Sequence, residues 1–500
     1  MQDVQNMNVV TLEVSMIKKL AKNNKEVAED VSIKKAVAWT AIAKYTTAAL
    51  QLVFAAILSR LLTPEQYGTV AVINVFVVFF HLFCDMGFGT AVIQDKSLTE
   101  KQTNDIFSWT FFLGIGLQFF FIGASFPISK VYEDTIYIPL GCILSFSLFF
   151  SALNMIPNAV MLKQKRFKTI TIRTVVSHIV TSLITIYLAI KGFGVYALVL
   201  QNLLSNLMIF AWNELTVRLR FTFKPDFSVI KRIWGYSIYQ FLALLLNYFN
   251  RNLDNLLIGK FYSKADLGQY NKSYSLMHMP IAYIPGVVGP ALHPILSEHQ
   301  NDPKYIYKAY LRILKILSLI GCFVSVFLFY AGEELVILLF GEQWHPAVLP
   351  FKILALSVWF QLATNTIGPI YQSIGNTKLL FKSVAASCVI IVSSIITGCI
   401  LGSIVHVAAC VSGAYFLNYF VSYFIMVKFG FHESMKEFLK TFYHEIIFFF
   451  VLMAVTLIPI GFDNLLVSFI IKSSIIVFVY FIMLVVTKQH KLFLNLVQRN

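Results

Sequence analysis

Charge is what this sequence has least of. Asp, Glu, Lys and Arg together make up 13% of its 500 residues, whereas a soluble globular protein carries about 25%. So few charges cannot cover a solvated surface, and apolar runs recur at the roughly 20-residue length that a bilayer-spanning helix needs. The composition therefore excludes an ordinary soluble domain and predicts an integral membrane protein.

Motifs for metals, cofactors and nucleic acids are also absent. The six cysteines lie in apolar segments without a CxxC pair, the ten histidines are scattered, and no Walker A motif or other Gly-rich phosphate loop occurs. We expect no metal, no cofactor and no nucleic-acid partner. The net charge of +15 has a simpler cause, because Lys and Arg collect in the cytoplasmic loops of membrane proteins.

Apolar runs, separated by charged or Gly- and Pro-containing breaks, divide the chain into fourteen predicted spans. The tenth is the least regular, because it contains Lys352, Asn365 and Pro369. The spans are 36–58, 68–93, 106–127, 136–156, 170–190, 193–214, 233–257, 272–294, 311–330, 347–372, 379–400, 404–426, 443–460 and 464–486.

The distribution of Lys and Arg predicts the orientation. With the first five residues of each span counted with the loop before it, alternate loops and the termini collect 30 on one side and six on the other, and the remaining four (Lys44, Arg251, Lys352 and Lys472) lie deeper within spans. A missed span would move later loops to the wrong side and destroy this asymmetry. We therefore predict an even number of helices with both termini cytoplasmic. The longest external stretch, about 331–345, is too short for a catalytic domain.

A shift of 200 residues aligns two segments without a gap. Residues 57–68 (ILSRLLTPEQYG) meet residues 257–268 (LIGKFYSKADLG), and each segment joins the first and second spans of a six-span half. Six is even, so both halves enter the membrane in the same direction. The sequence predicts an all-α membrane protein of about 14 transmembrane helices, with two parallel-repeat six-helix lobes plus two C-terminal helices.

This interpretation divides the chain into six segments. For residues 1–35 a surface-lying amphipathic helix and a disordered tail remain equally open. The segments are a cytoplasmic N-terminal segment (1–35), an N-lobe (36–214), a cytoplasmic linker (215–232), a C-lobe (233–426), two further helices (443–486) and a cytoplasmic tail (487–500).

Equivalent polar stripes mark the first and seventh spans. A charged side chain facing the bilayer centre costs at least about 3 kcal/mol, so intramembrane polar residues usually line a cavity or pair with one another. The alternative for Arg251 is an ion pair with Asp254, and Lys352 and Lys472 lie near span ends, where they can reach the interface. The predicted cavity residues are Lys44, Thr47, Gln51, Gln240, Asn247, Asn250, Arg251 and Asp254.

Two further groups have possible roles in transport. Asp85 and Asp254 are candidates for ion coupling. The eighth span contains several helix-breaking residues, which favour either a hinge or a static kink. The hinge candidates are Pro280, Pro285, Gly286, Gly289 and Pro290.

Several motifs occur in order at the expected spans. The patterns RLLTPEQYG (60–68) and DMGFGTAVIQ (85–94), followed by NLDNLLIG (252–259), LGQY (267–270) and LFGEQW (339–344), resemble the polysaccharide transporter family. The resemblance covers about residues 32–430 and is strongest to Wzx-type lipopolysaccharide and capsule flippases. These belong to the multidrug/oligosaccharidyl-lipid/polysaccharide flippase superfamily.

The resemblance implies two lobes like those of MATE transporters, an inner-membrane location and alternating access. The implied cargo is an undecaprenyl-diphosphate-linked repeat unit of O-antigen or capsule, with Lys44 and Arg251 receiving the diphosphate. Membrane lipids, and a polysaccharide polymerase with chain-length machinery, are the implied partners. A drug or cation exporter of the same superfamily is the first alternative, and its substrates would require buried acids. A membrane polymerase or ligase is the second, and it would require a large external loop.

Overall fold

A computed structural model describes most of the chain, and all its regular elements are helical. The described residues are 38–85, 88–95, 97–226, 228, 245, 248–249, 251–284, 302–374, 376–458, 460 and 462–492.

The N-lobe contains six long helices in the described residues, with a short seventh element after the second. Pro127 and Pro157 lie inside two of these helices without ending them. The elements are α1 (Ala38–Leu61), α2 (Pro64–Asp85), α3 (Phe88–Gln94), α4 (Glu100–Val131), α5 (Tyr137–Lys163), α6 (Phe167–Ile190) and α7 (Val195–Val217).

The C-lobe repeats this order, with its fourth member broken into pieces. The elements are α8 (251–261), α9 (Lys264–Tyr283), α10 (Pro303–Tyr330), α11 (Gly332–Phe340), a 3₁₀ turn (Glu342–Ala347), α12 (Val348–Ala355), α13 (Val358–Thr364), α14 (Ile367–Ser373), α15 (Thr377–Ile400) and α16 (Ile404–Phe424). The chain ends with α17 (Met435–Thr441), α18 (Tyr443–Val455) and α19 (Leu465–Val486).

The fold class agrees with the sequence prediction, although the count of fourteen helices is not confirmed. Ten helices in the described residues are long and apolar enough to cross a membrane, and two bent pairs raise the number to 12. The chain is a multi-pass membrane protein, and large apolar side chains such as Phe119, Phe120 and Val389 remain exposed on its surface, as lipid contact requires.

Two predicted boundaries were wrong, and the tenth predicted span is bent. The eighth predicted span corresponds to α9, which begins at Lys264 rather than at 272. A capping box starts this helix before the apolar run. The stretch 331–345, predicted as a loop, contains α11 and the 3₁₀ turn. The tenth span bends by 49° between its two parts, at the irregular sequence noted above.

The 200-residue repeat is visible in local structure. At the start of α2, Thr63 and Gln66 each accept a hydrogen bond from the other's backbone N–H, at 3.3 and 3.0 Å. At the start of α9, Ser263 and Asp266 exchange the same pair of bonds. Such capping boxes satisfy donors at a helix N-terminus that have no intrahelical partner. The equivalent positions of the two halves therefore start equivalent helices.

Candidate functional site

The two lobes meet closely where α2 and α9 begin. A Cβ atom on Gly68 would lie 1.7 Å from the carbonyl oxygen of Lys264, and one on Gly268 would lie 1.9 Å from that of Pro64. These pairs are related by the 200-residue shift, so the contact is two-fold symmetric. We call it the Gly68–Gly268 contact. Only glycine permits this approach, because any side chain would overlap backbone atoms.

Hydrogen bonds around this contact join the end of α1 to the C-lobe. Arg60 Nη2 donates to the carbonyl of Leu338 at 2.7 Å, and Trp344 Nε1 donates to the carbonyl of Ser59 at 2.8 Å. Gln343 Nε2 donates to the same Ser59 carbonyl. The LFGEQW motif marked this region in the sequence. Its partners could not be predicted, because they lie in the other lobe, more than 270 residues away. This end of the protein, predicted to be external, is sealed by contacts between the lobes.

A second set of bonds crosses at the α4–α5 loop. Lys260 Nζ donates to the carbonyl of Val131 at 2.6 Å, and Lys264 binds the carboxylate of Asp134. Partial desolvation would raise the pKa of Asp134, but the hydrogen bonds from Lys264 and from the backbone N–H of Ile136 lower it below its usual value. The sealed end is thus held by charge as well as by close packing.

Lys272 lies inside this contact, in an aromatic box contributed by both lobes. Its side chain is buried, and Nζ lies 3.9 Å from the ring centre of Tyr67, 4.8 Å from that of Phe340 and 5.4 Å from that of Trp344. Aromatic faces attract an ammonium group. Opening this end would separate Tyr67, on the N-lobe, from the other three residues.

A cavity of about 350 Å³ lies between the lobes, with Gln51 of α1 and Arg251 of α8 among its lining residues. The Tyr283 hydroxyl donates to Gln51 Oε1 at 3.1 Å, and Lys44 Nζ lies 5.5 Å from the Tyr283 ring centre. The two predicted stripes therefore face one another here: Gln51 and Arg251, equivalent by the 200-residue shift, line one space, and Lys44 borders it through Tyr283.

Arg251 also lines a neighbouring cavity of about 350 Å³ inside the C-lobe, whose polar wall includes Asn365 and Asn418. Tyr274 and His278 line both spaces, and the Tyr274 hydroxyl bonds that of Tyr415 at 3.0 Å. No acidic side chain is among the lining residues of either cavity in the described part of the chain. The site is therefore cationic. Its lining also includes Tyr274, Tyr283 and His278, which the sequence analysis missed because aromatic residues are common in apolar helices.

Other predicted site residues lie elsewhere. Asp254 is buried and accepts a hydrogen bond from the Tyr270 hydroxyl at 3.0 Å and another from the backbone N–H of Asn255 at 2.8 Å. Within the described residues it does not pair with Arg251 and lines neither cavity, so the ion-pair alternative was wrong. The Thr47 hydroxyl is buried without a hydrogen-bond partner there.

Several predicted residues cannot be placed. Gln240, Asn247 and Asn250 lie outside the described residues, as does the side chain of Asp85, which ends α2. Of the hinge candidates, Pro280 lies within α9. The others, outside the described residues, are Pro285, Gly286, Gly289 and Pro290. Their roles remain predictions.

Lys472 is not the interfacial lysine that its position predicted, whereas Lys352 remains partly exposed. Lys472 forms an ion pair of 2.5 Å with Glu334, which is buried and also accepts a bond from Ser468 at 2.7 Å. Lys352 lies 3.8 Å from Glu333. Both lysines therefore pair with consecutive glutamates of α11, which the predicted loop had placed in water. The Lys472–Glu334 pair attaches α19 to the C-lobe.

This attachment yields a prediction. Lys472→Met and Glu334→Gln should each lower the unfolding temperature in detergent, because removing one partner of a buried pair costs about 3–5 kcal/mol. The double variant should lie closer to the parent than either single variant, since no unpaired charge remains. Lys440→Met, whose Glu437 pair is exposed, is the control and should change little. Additive losses in the double variant would show that the two residues act independently.

Glu445, at the start of α18, is fully buried, and neither carboxyl oxygen has a hydrogen-bond partner within the described structure. Burying an unpaired charge is costly. We expect Glu445→Gln, which keeps the shape without a possible charge, to melt at or above the parental temperature, and Glu445→Lys to melt well below it. Glu437→Lys at an exposed position is the matched control. A lower melting temperature for Glu445→Gln would contradict this view.

Arg173 is a further correction. As the fourth residue of the predicted span 170–190 it counts with the cations of the preceding loop, but it is buried in α6, with 5% of its surface exposed. Its guanidinium binds the side-chain oxygens of Asn213 and Asn158. Its position in the sequence suggested only the edge of a span. The sequence signal that was overlooked is the presence of asparagines in the neighbouring helices. The N-lobe therefore contains a buried arginine, in addition to Arg251 in the C-lobe.

Solved transporter structures share this architecture. A lipid II flippase, MurJ, in an inward closed conformation matches with a TM-score of 0.74 over 90% of this chain and 98% of that chain, at 17% identity. An inward-facing MATE family multidrug resistance transporter of the MOP superfamily matches with a TM-score of 0.62 over 75% of this chain and 93% of that chain, at 15% identity. The chain shares the fold of these two transporters.

Sequence comparison identifies the family. A profile described as "Polysaccharide biosynthesis protein" matches residues 57–349. The teichuronic acid biosynthesis protein TuaB of Bacillus subtilis is 26% identical, over 81% of this chain and 85% of its own length. The lipopolysaccharide biosynthesis protein WzxC of Escherichia coli is 21% identical, over 80% and 82%. The chain belongs to this polysaccharide biosynthesis protein family. It is a flippase-type membrane transporter rather than an enzyme.

Proposed function

We propose that the protein moves a lipid-linked oligosaccharide, carried on undecaprenyl diphosphate, from the inner to the outer face of the inner membrane. The observation that carries this proposal is the cationic inter-lobe cavity, with Arg251 and Gln51 in its wall and Lys44 at its border. A phosphate oxygen near a partly buried guanidinium gains about 4 kcal/mol at an effective dielectric of about 20. An arginine also binds phosphate through two parallel hydrogen bonds.

Alternating access supplies the movement. With the Gly68–Gly268 contact closed, the headgroup enters from the opposite, cytoplasmic end and meets Lys44 near the start of α1. Closing that end and separating the sealed contacts would then present it to the outer face. The polar lining replaces water around the sugars while the lipid tail stays in the bilayer. Delivery to a polysaccharide polymerase and its chain-length machinery would follow.

The lining argues against export of cationic drugs, which would need acidic residues to neutralise the substrate. Purified protein in liposomes tests both functions. A fluorescent undecaprenyl-diphosphate oligosaccharide should become accessible to an added glycosidase in the opposite leaflet, whereas an organic cation should not accumulate. Cation transport without lipid translocation would overturn the proposal. Empty liposomes, and liposomes containing the Arg251→Ala variant, control for spontaneous movement.

A further inference from the structure

A third cavity lies wholly within the N-lobe, between α2, α3, α5, α6 and α7. Its volume is about 550 Å³, within the range of pockets that bind small molecules. His81, Asn154, Asn158, Arg173 and Asn206 are among its lining residues. The site proposed above for the diphosphate does not use any of them.

Arg173 is the only described cationic side chain in this lining. Its two described hydrogen bonds go to neutral amides, and its Nε–H is buried without a partner. No described carboxylate lies within ion-pair distance of it. A buried guanidinium normally recovers its lost hydration from an anion. Among the described residues, Arg173 is therefore a buried positive group without a negative partner.

Asparagines fix the wall around this cation. Asn213 Nδ2 donates to Asn154 Oδ1 at 2.9 Å, and Asn154 Nδ2 donates to the carbonyl of Asn206 at 3.0 Å. In the same lining, His81 and Ser151 are hydrogen-bonded at 2.8 Å. Amide groups both donate and accept, so such a surface suits hydroxyl groups.

The C-lobe offers a counterpart. Its cavity is lined by α9, α13, α15 and α16, the counterparts of α2, α5, α6 and α7, but its arginine, Arg251, comes from α8, and Asn365 and Asn418 are also in the lining. Each half of the repeat therefore places one arginine beside asparagines. Arg251 is exposed at the inter-lobe cavity, whereas Arg173 lies deep in its own lobe. The two cations are suited to different parts of one ligand.

We propose that the N-lobe cavity binds an acidic sugar of the transported oligosaccharide, with Arg173 receiving its carboxylate and the asparagines contacting its hydroxyls. This inference rests on the proposed function and adds a class of substrate to it. A planar guanidinium matches a carboxylate in two parallel hydrogen bonds, and a sugar ring presents hydroxyls to the amides. A purely structural Arg173 would hold α5, α6 and α7 together and would not distinguish among ligands.

The test is ligand binding to the purified full-length protein in detergent, followed by its unfolding temperature. D-glucuronate, D-glucose, acetate and inorganic phosphate are compared at equal ionic strength, since a ligand that binds the folded state stabilises it in proportion to its affinity. Glucuronate should bind at least tenfold more tightly than glucose or acetate. Equal binding of glucuronate and glucose would overturn the proposal, and so would phosphate binding more tightly than glucuronate.

Variants locate the site. Arg173→Met should reduce glucuronate affinity at least tenfold, and Arg173→Lys should reduce it less because it keeps the charge without the fork. Arg166→Met, an exposed arginine at the start of the same helix, is the matched control and should bind like the parent. If Arg173→Met fails to fold, Asn158→Ala and Arg173→Lys carry the test. Unchanged affinity in a folded Arg173 variant would refute the assignment.

A final arm separates this inference from the transport proposal. Inorganic diphosphate binding should be lost in Arg251→Met, while glucuronate binding in that variant should persist. If diphosphate behaves as expected but glucuronate does not bind, only the acidic-sugar site is wrong. If glucuronate binds through Arg173 but neither diphosphate binding nor lipid translocation is found, the sugar site stands and the flippase mechanism fails.

Discussion

Arg251→Ala should abolish most transport while leaving the protein in the membrane at its normal amount. Arg251 is exposed at the cavity, and no described residue gives it an ion-pair or hydrogen-bond partner, so among the described residues its loss leaves no buried group unsatisfied. A hydrogen bond to a charged group contributes about 1.5–3 kcal/mol, and each 1.4 kcal/mol corresponds to about tenfold. We therefore expect at least a tenfold loss of function with little loss of stability.

The measurement is surface polysaccharide restored in a strain that lacks its own flippase, divided by the amount of variant in the membrane. Arg251→Lys should keep part of the activity, since it retains a charge but not the planar fork. Arg312→Ala, at an exposed arginine of α10, is the matched control. Full complementation by Arg251→Ala would show that the cationic cavity does not recognise the substrate.

The structure also changes the interpretation of Asp254. The sequence alone suggested that removing Asp254 would free Arg251 from an ion pair. Asp254 instead accepts its hydrogen bonds from Tyr270 and Asn255. Its substitution should therefore act on the packing of α8 against α9 rather than on the charge of the cavity.

Much of the fold could be predicted because it rests on composition and on local signals. Apolar length marks the helices, and the repeat at 57–68 and 257–268 aligns capping residues that act within one turn. Even the presence of Gln51 and Arg251 in the wall of one cavity follows from the repeat. These features depend on neighbours in sequence or on a symmetry that the sequence itself displays.

What escaped prediction depends on partners distant in the chain. The position of Lys472 predicted an interfacial lysine, but its side chain pairs with Glu334. The position of Arg173 predicted a cation at a loop, but its guanidinium binds Asn158 and Asn213. A charged residue near a span end has the same local sequence whether it reaches water or a buried partner. Only the packing of helices separates the two cases.

The Gly68–Gly268 contact gives the second large effect, since Gly68→Ala should prevent the lobes from closing at this end. The new Cβ would lie 1.7 Å from the backbone oxygen of Lys264, and a backbone atom cannot move aside like a flexible side chain. Overpacking typically costs about 1–3 kcal/mol, and an overlap this deep should exceed that. The expected result is a protein that accumulates but spends most of its time open at the sealed end, with transport reduced more than about tenfold.

Accessibility of a cysteine reports this directly. In a variant without native cysteines, Ser59→Cys places a thiol at a fully buried position next to the Trp344 contact. A membrane-impermeant maleimide should label it slowly in the parent and much faster with Gly68→Ala or Gly268→Ala. Gly116→Ala and Gly123→Ala are the matched controls, because a Cβ there meets nothing within 4 Å. Parental labelling and transport in Gly68→Ala would mean that the two lobes do not need this contact to alternate.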